Sequence, residues 1–134
     1  MFCIDASVFI NAARKSEKHS DRSRQFLQQI SSEKLSIFLP EIVIPEIMSG
    51  IMRSSKNEVL AENVVSAIRD LPNTIFVAIS RNISDQAIKV IKETKLKSAD
   101  AIYVALAINY NLTLVTLDKE QLSKGATLVS VMKP

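Results

Sequence analysis

Short apolar runs alternate with longer segments of helical periodicity along this chain. The apolar runs cover residues 2–4, 35–39, 74–79, 112–117 and 127–131. Between them, apolar residues recur at intervals of three and four, as in Phe26, Leu27 and Ile30, which is the spacing of one helix face. Apolar strands separated by helices are typical of a parallel sheet that is buried on both faces. The pattern therefore predicts an α/β sandwich.

Local signals place the ends of the predicted helices. The helices cover residues 7–13, a segment capped by Ser20 or Asp21, residues 45–54 and 57–70, a segment from Ser80 or Ser84 to 94, residues 99–110 and a turn at 118–122. Asn57 and Ser98 are residue types that cap helix N-termini. Pro45 is tolerated in a first helical turn, and Gly125 is predicted to end the last turn. Without repeats or linkers, residues 1–134 are predicted to form one domain.

The composition excludes several kinds of site. The chain has one cysteine and one histidine, so it cannot form an internal disulfide, a thiolate zinc site or a two-histidine metal site. Cys3 lies in the first apolar run and is predicted to be a buried structural thiol, whereas His19 lies in a charged stretch and is predicted to be a solvated loop residue. Two glycines and no tryptophan argue against a glycine-rich phosphate loop and an aromatic stacking platform.

The charge of the chain is mildly basic, with a net charge of +3 and a pI near 9.1. This alone is weak evidence for an anionic partner. The basic residues form two clusters, which are Arg14, Lys15, Lys18, Arg22 and Arg24, and Lys89, Lys92, Lys95 and Lys97. Each cluster is either a solvated face or a phosphate-binding surface, and the second reading gains weight if the clusters flank an acidic site. The sequence lacks a secretion signal or an apolar membrane span, so the expected location is cytoplasmic.

Four carboxylates are predicted to meet at one edge of the sheet. Asp5 and Asp118 directly follow apolar strands, Asp100 lies in the first turn of one predicted helix, and Glu46 lies near the start of another. Strands of a parallel sheet end at the edge where the following helices begin, and ligands bind outside that edge. Each aspartate alone could simply cap a helix. Together, four like charges would raise one another's pKa values, and a divalent cation removes that cost.

Such a cluster favours one class of chemistry. Oxygen ligands suit magnesium or manganese rather than zinc. Without a histidine, thiolate or lysine partner, the cluster is poorly suited to covalent catalysis, but it suits the metal-assisted hydrolysis of a phosphodiester. Ser7 and Thr116 could place hydroxyls beside the first and last aspartate, or could satisfy backbone groups.

Four segments of the chain resemble the PIN domain family, in the family's order and over nearly the whole chain. They are Ile4-Asp5-Ala6-Ser7, Ile44-Pro45-Glu46-Ile47, the run from Ser98 to Ala107 that contains Asp100, and Val115-Thr116-Leu117-Asp118. The resemblance implies a three-layer α/β/α sandwich with a central parallel sheet of four to five strands. It also implies a Mg²⁺- or Mn²⁺-dependent endoribonuclease whose catalytic and metal-binding residues are Asp5, Glu46, Asp100 and Asp118. The chain resembles VapC-type toxins in size, which implies an RNA substrate, a homodimer and an antitoxin partner.

Further residues are predicted to support this site. The supporting polar residues are Ser7, Thr116 and Asn11, and the candidate RNA contacts are Arg14, Lys15, Lys18 and Lys97. Two alternatives stay open. Glu41 competes with Glu46 because Pro45 leaves the helix start open, and Glu120 could replace or supplement Asp118.

Two other functions fit parts of the pattern. A catalytically inactive PIN-like domain would use the same fold to bind RNA or to support assembly. A receiver-like signalling domain also gathers acids at the carboxyl edge of a parallel sheet, but it needs an aspartate on a central strand. The middle strands predicted here end in Leu39 and Ile79, so this alternative is disfavoured.

Overall fold

The computed structural model describes all 134 residues of the chain. Its architecture is a five-stranded parallel sheet with seven α-helices around it. The strands are β1 (Phe2–Ile4), β2 (Ile37–Pro40), β3 (Thr74–Val77), β4 (Thr113–Val115) and β5 (Val131–Met132). The helices are α1 (Ala6–Ala13), α2 (Ser20–Ser32), α3 (Val43–Ser55), α4 (Glu58–Arg69), α5 (Arg81–Thr94), α6 (Ser98–Tyr110) and α7 (Lys119–Lys124). The α/β prediction is confirmed.

The strand order is β3-β2-β1-β4-β5, and every neighbouring pair is parallel. Because crossovers between parallel strands are right-handed, the helices between β1 and β3 lie on one face and those between β3 and β5 on the other. The contacts agree, since α1 packs on α2 and α3, α3 packs on α4, and α5 packs on α6. Strands β2 and β3 are added on one side of β1, and β4 and β5 on the other, so the strand order reverses between β1 and β4. The ligand crevice is therefore expected outside the carboxyl ends of these two strands.

Helix α6 anchors the site to the core. Its side chains at Ala101 and from Tyr103 to Ala107 are buried, and it packs on β1, β2 and β4. A helix that is apolar around most of its circumference belongs in the interior, where burying a side chain such as Leu106 contributes about 1.5–3 kcal/mol. This packing holds Asp100, in the first turn of α6, at the carboxyl edge of the sheet. Neither α6 nor any other helix has the length and apolar content of a membrane span.

Two predicted helix caps are wrong, and two are confirmed. Ser20 is the first residue of α2 rather than its cap, and the residue before it, His19, has a left-handed backbone (φ 65°) and no capping side chain. Ser98 is likewise the first residue of α6, after Lys97. The predicted caps Asn57 and Ser80 do accept hydrogen bonds from the N–H groups three residues on.

Two other boundaries also differ from the prediction. Helix α3 begins at Val43, two residues before Pro45, because proline is tolerated anywhere in the first turn, where its N–H is not needed. Gly125 is predicted to end the last helical turn but opens a 3-10 turn (Gly125–Thr127), and β5 covers Val131–Met132 instead of the predicted 127–131. A Cβ at Gly125 would lie 3.3 Å from the side chain of Val104, so the glycine allows a close approach to α6.

The predictions for the single cysteine and the single histidine are confirmed. Cys3 is completely buried in β1, and burial raises the pKa of its thiol well above the usual range. A thiol in such surroundings is a poor nucleophile. His19 is exposed in the connection between α1 and α2.

Candidate active site

A wide cavity lies at the carboxyl edge of the sheet, near β1 and β4, between which the strand order reverses. Its volume is about 720 Å³, and all four predicted carboxylates line it: Asp5, Glu46, Asp100 and Asp118. They come from the ends of β1 and β4 and from the first turns of α3 and α6. We refer to it as the carboxylate cavity. The structure therefore brings together four side chains that are far apart in the sequence.

Asp5 lies at the centre of this arrangement and is only 6% exposed. It caps α1, because its Oδ2 accepts a hydrogen bond from the Ser7 N–H at 3.0 Å. Oδ2 also accepts from the Thr116 hydroxyl at 3.3 Å, since the pairing of β1 with β4 places residues 5 and 116 side by side. A helix-capping role and a place in the cavity thus coexist in one residue.

The two predicted hydroxyl residues join the ends of β1 and β4. The Thr116 hydroxyl accepts a hydrogen bond from the Asp118 N–H at 2.9 Å and donates to Asp5. The Ser7 hydroxyl accepts from the Leu117 N–H at 3.1 Å, and Ser7 also lines the carboxylate cavity. Asp118 itself caps α7 by accepting from the N–H three residues on, at 2.8 Å. These contacts hold the aspartates that follow β1 and β4 next to each other.

Gln121, on α7, is a residue that the sequence analysis missed. It is completely buried, and its Nε2 donates to Asp5 Oδ1 at 3.2 Å and to Asp100 Oδ1 at 3.0 Å. Its Oε1 is the one buried side-chain polar atom without a hydrogen-bond partner. In the sequence, Asp118 followed by Gln121 has the spacing of a capping box, in which the glutamine turns back to its own helix. Here the amide instead holds two carboxylates together.

Tyr103 is the second residue that was missed as a site component. It lies one turn after Asp100 on α6, and its hydroxyl donates to Glu46 Oε2 at 2.6 Å. Burial raises the pKa of Glu46, and the nearby Asp5 and Asp100 raise it further, whereas the hydrogen bond from Tyr103 lowers it. The sequence places Tyr103 in an apolar helix, which indicates only a core residue.

Replacing Tyr103 with Phe is expected to weaken metal binding without unfolding the protein. The ring keeps its place in the core, but Glu46 loses the donor that orients it and favours its charged form. Removing such an outer hydrogen bond typically costs 10–100-fold in metal affinity. Titration calorimetry with Mn²⁺ on wild type and Tyr103→Phe measures the change. Equal affinities would show that the hydroxyl has no part in the site.

The carboxylates share one electrostatic environment. Burial raises the pKa of Asp100, and the charges of Asp118 and Asp5 raise it further. The hydrogen bond from Gln121 and the charge of Lys97 act in the opposite direction. This mutual repulsion is the effect expected of like charges in one pocket, and it favours the binding of a cation.

The donor set fits a small, hard divalent cation, because every charged donor is a carboxylate oxygen. In this arrangement no three His, Cys, Asp or Glu side chains are placed as a metal site, and the oxygens of Asp5, Glu46 and Asp100 accept hydrogen bonds from protein donors instead. The unpartnered Oε1 of Gln121 adds a further buried oxygen beside the acids. Cation binding would therefore require side-chain rotations within the cavity.

The competing acids lie outside the carboxylate cavity. Glu41 is exposed and precedes α3, and its backbone N–H donates to the Val77 carbonyl. Glu120 is exposed on α7 and forms an ion pair with Lys124 at 3.0 Å. Neither residue lines the cavity.

Arg53 is a basic residue of the cavity that the sequence analysis missed. It lines the carboxylate cavity together with Ser49, to which its guanidinium donates at 2.7 and 3.1 Å. No ion pair engages it. Its sequence position, in the last turn of α3, is equally typical of a residue that interacts with the helix dipole.

Asn11 does not line the carboxylate cavity. Its side chain organises the connection between α1 and α2, accepting from the Ser23 hydroxyl at 2.8 Å and donating to the Lys18 carbonyl at 3.1 Å. Both Asn11 and Lys18 line a second, neighbouring cavity.

The other candidate RNA contacts have different surroundings. Arg14 forms an ion pair with Glu17 at 2.6 Å, and Lys15 is exposed on the connection that follows α1. Lys97 precedes α6, and its charge lowers the pKa of Asp100. Of these residues, Lys97 thus has the clearest electrostatic link to the carboxylates.

Sequence and fold comparisons agree with this architecture. The profile of the PIN domain family matches residues 2–126. A comparison with curated proteins finds no match. In fold, the chain is similar to VapBC2 from Rickettsia felis bound to a promoter DNA fragment, with a TM-score of 0.75 and 17% identity over 98% of this chain and 97% of that chain.

Two further solved structures are similar in the same way. One is a toxin–antitoxin complex from Klebsiella pneumoniae, with a TM-score of 0.68 and 22% identity over 98% of this chain and 96% of that chain. The other is VapC20 from Mycobacterium tuberculosis, a Sarcin-Ricin loop cleaving toxin, with a TM-score of 0.75 and 12% identity over 92% of this chain and 95% of that chain. At these identities the similarity shows the fold. Because the family profile covers nearly the whole chain, the protein belongs to the PIN domain family.

Proposed function

We propose that this protein is a divalent-metal-dependent endoribonuclease, in which Asp5, Glu46, Asp100 and Asp118 hold Mg²⁺ or Mn²⁺. One observation carries the proposal: four carboxylates from distant segments line a single cavity at the reversal point of a parallel sheet. Capping alone does not explain this, because Asp5 and Asp118 cap helices but Glu46 and Asp100 do not.

The chain's own residues prepare the site for hydrolysis of a phosphodiester. A bound Mg²⁺ or Mn²⁺ supplies Lewis-acid chemistry, since it lowers the pKa of a water and stabilises charge on phosphate oxygens. Tyr103 orients Glu46, and Gln121 holds Asp5 beside Asp100. Arg53 supplies a positive charge at the cavity wall, where a phosphate oxygen of the substrate can accept a hydrogen bond.

The proposal includes the role of toxin in a toxin–antitoxin pair, with an antitoxin protein as partner. The support is the similarity in fold to the complexes from Rickettsia felis and Klebsiella pneumoniae. It also includes a homodimer. Ile88 on α5 is 50% exposed and borders a shallow, mostly apolar cavity between α5 and α6, which is a surface suited to association.

The second candidate is a catalytically inactive PIN-like domain that binds RNA or supports assembly. The observation in its favour is that no three acids are arranged as a metal site in this structure. The receiver-like alternative gains no support: the central strand β1 is followed by Asp5, but the family profile that matches residues 2–126 is that of the PIN domain.

Cleavage of a mixed RNA pool separates the two candidates. The purified protein is incubated with the pool in Mg²⁺, in Mn²⁺ and in EDTA, and the products are resolved on a denaturing gel. A metal-dependent endoribonuclease gives discrete fragments with metal and none in EDTA. An intact pool under all three conditions would favour the inactive domain, and cleavage that persists in EDTA would contradict the metal assignment.

Divalent cations are expected to stabilise the protein against heat. At a cation concentration one hundred times Kd, ligand binding adds about 2.7 kcal/mol, which raises Tm by about 5–10 °C in a domain of this size. Asp100→Asn should lose most of this shift. In metal-free buffer the same variant should be slightly more stable than wild type, by less than about 1 kcal/mol, because it removes like-charge repulsion at a half-exposed group. Differential scanning fluorimetry with and without Mn²⁺ measures both effects.

The pH dependence of this stabilisation follows from the raised pKa values. In the metal-free protein, protonated Glu46 and Asp100 favour the folded state, so their contribution is present at low pH and is lost as the pH rises through the raised pKa values. Cations compete with these protons, so the metal-induced rise in Tm should be large at neutral pH and should vanish toward pH 4.5, the ordinary pKa of glutamate. A shift in Tm that is independent of pH would contradict binding at these acids.

A further inference from the structure

A second, smaller cavity opens beside the carboxylate cavity and has the opposite charge. Its volume is about 300 Å³, and four basic side chains line it: Lys18, Arg22, Lys119 and Lys133. No aspartate or glutamate is among its lining residues. We refer to it as the basic cavity. Lys18 and Arg22 belong to the first basic cluster of the sequence, whereas Lys119 and Lys133 belong to neither cluster.

None of the four basic side chains of the basic cavity forms an ion pair within the protein. The ion pairs of the chain involve Arg14, Arg24 and Lys124. All four basic side chains are exposed. Four like charges around one concave surface repel one another, so an anion bound between them gains electrostatic energy from each.

Residues that are adjacent in the sequence line the two cavities. Asp118 lines the carboxylate cavity, while the residues on either side of it, Leu117 and Lys119, line the basic cavity. On α1, Ser7 lines the carboxylate cavity and Asn11, one helical turn later, lines the basic cavity. A ligand with evenly spaced negative charges can therefore occupy both cavities at once.

We propose that the basic cavity binds a backbone phosphate of the RNA strand, next to the phosphodiester that enters the carboxylate cavity. This inference rests on the proposed ribonuclease function. Four carboxylates repel a polyanion, so the substrate needs compensating positive charge close by. Lysine and arginine supply such charge without reading base identity, because phosphate contacts fix the position of a nucleic acid and carry no sequence information.

A paired charge-removal experiment tests this assignment. Arg22→Ala/Lys133→Ala removes two charges from the basic cavity, and the control pair Lys34→Asn/Arg69→Ala removes two exposed charges at residues that line neither cavity. Both pairs are made in the Asp100→Asn background in EDTA, so that no cleavage occurs. Fluorescence anisotropy with a short labelled oligouridylate measures Kd at several salt concentrations.

The cavity pair is expected to bind about 10-fold more weakly at low salt, and its salt dependence should be shallower. For single strands, the slope of log K against log salt falls by about 0.7 for each phosphate that the protein no longer neutralises. The control pair should match the Asp100→Asn parent in both quantities. In the active background, the cavity pair should raise KM and leave kcat close to wild type, since it acts on binding and not on the reacting phosphate.

Three outcomes would overturn the inference. These are a cavity pair that binds RNA as tightly as the Asp100→Asn parent, an equal loss in both double variants, or a loss seen only with an oligoglutamate peptide and not with RNA, which would make the cavity a protein-docking site. The binding readout is independent of cleavage. If wild type fails to cut RNA, the proposed function fails, while the anisotropy data still show whether the basic cavity binds phosphate.

Discussion

Asp5→Asn is expected to lower the rate of metal-dependent RNA cleavage at least about 1,000-fold. Metal ions contribute several kcal/mol of transition-state stabilisation, and each 1.4 kcal/mol is a factor of ten in rate. Asp5 is the one buried acid of the chain and the acceptor of three hydrogen bonds. Asparagine keeps the size and most of these contacts, so the substitution removes mainly the negative charge. Single-turnover cleavage of a labelled oligonucleotide with Mn²⁺ measures the rate.

Glu41→Gln is the matched control for this experiment. Like Asp5→Asn, it removes one carboxylate charge. Glu41, however, precedes α3, is exposed and lies outside the carboxylate cavity. Its cleavage rate should stay within about threefold of wild type, consistent with the small effects of most surface substitutions. Full activity in Asp5→Asn would refute the catalytic assignment of Asp5. Loss of activity in Glu41→Gln would move the fourth acid from Glu46 to Glu41.

Gln121→Leu is expected to have the largest effect on stability among the site residues. The leucine fits the buried space, but Asp5 Oδ1 loses the donor that its charge requires and Asp100 loses a second one. A buried charged group that loses its partner costs about 2–4 kcal/mol. Urea denaturation in metal-free buffer should show this decrease in the free energy of unfolding. It should also show that Gln28→Leu, at an exposed position of α2, changes stability by less than about 0.5 kcal/mol.

Metal affinity separates a positioning role of Gln121 from a purely structural one. If the amide positions Asp5 and Asp100, then Gln121→Leu should bind Mn²⁺ about 10–100-fold more weakly even at temperatures where it is fully folded. A variant that is destabilised but binds Mn²⁺ with wild-type affinity would show that Gln121 only fills the core. A variant with wild-type stability would show that the two hydrogen bonds carry no net energy.

The sequence predicts the elements and the edge of this fold better than its details. Apolar runs indicate all five strands, because a strand that is buried on both faces contains few polar residues and is visible as a continuous apolar run. The last strand is shifted because residues 125–127 continue the turn after α7, where Gly125 packs close to Val104. That contact is long-range, and local periodicity carries no information about it.

The site residues likewise divide into those that a local pattern predicts and those that depend on contacts remote in the sequence. The edge rule for parallel sheets places Asp5 and Asp118 without knowledge of the strand order. Gln121 and Tyr103 escape this reasoning because their partners are remote, 116 residues away for Asp5 and 57 for Glu46. Their local patterns, a capping box and an apolar helix, have sufficient explanations of their own. The one sequence signal for Gln121 is its spacing from Asp118, and that spacing fits a capping box equally well.

Anomalous diffraction from a crystal grown with Mn²⁺ tests most directly whether the four acids form one metal site. We expect a manganese peak in the carboxylate cavity, with oxygens of Asp5 and at least two of Glu46, Asp100 and Asp118 about 2.1 Å from the ion, as is typical of small divalent cations. A manganese peak elsewhere on the protein, or no peak while these side chains keep their present hydrogen bonds, would contradict this expectation.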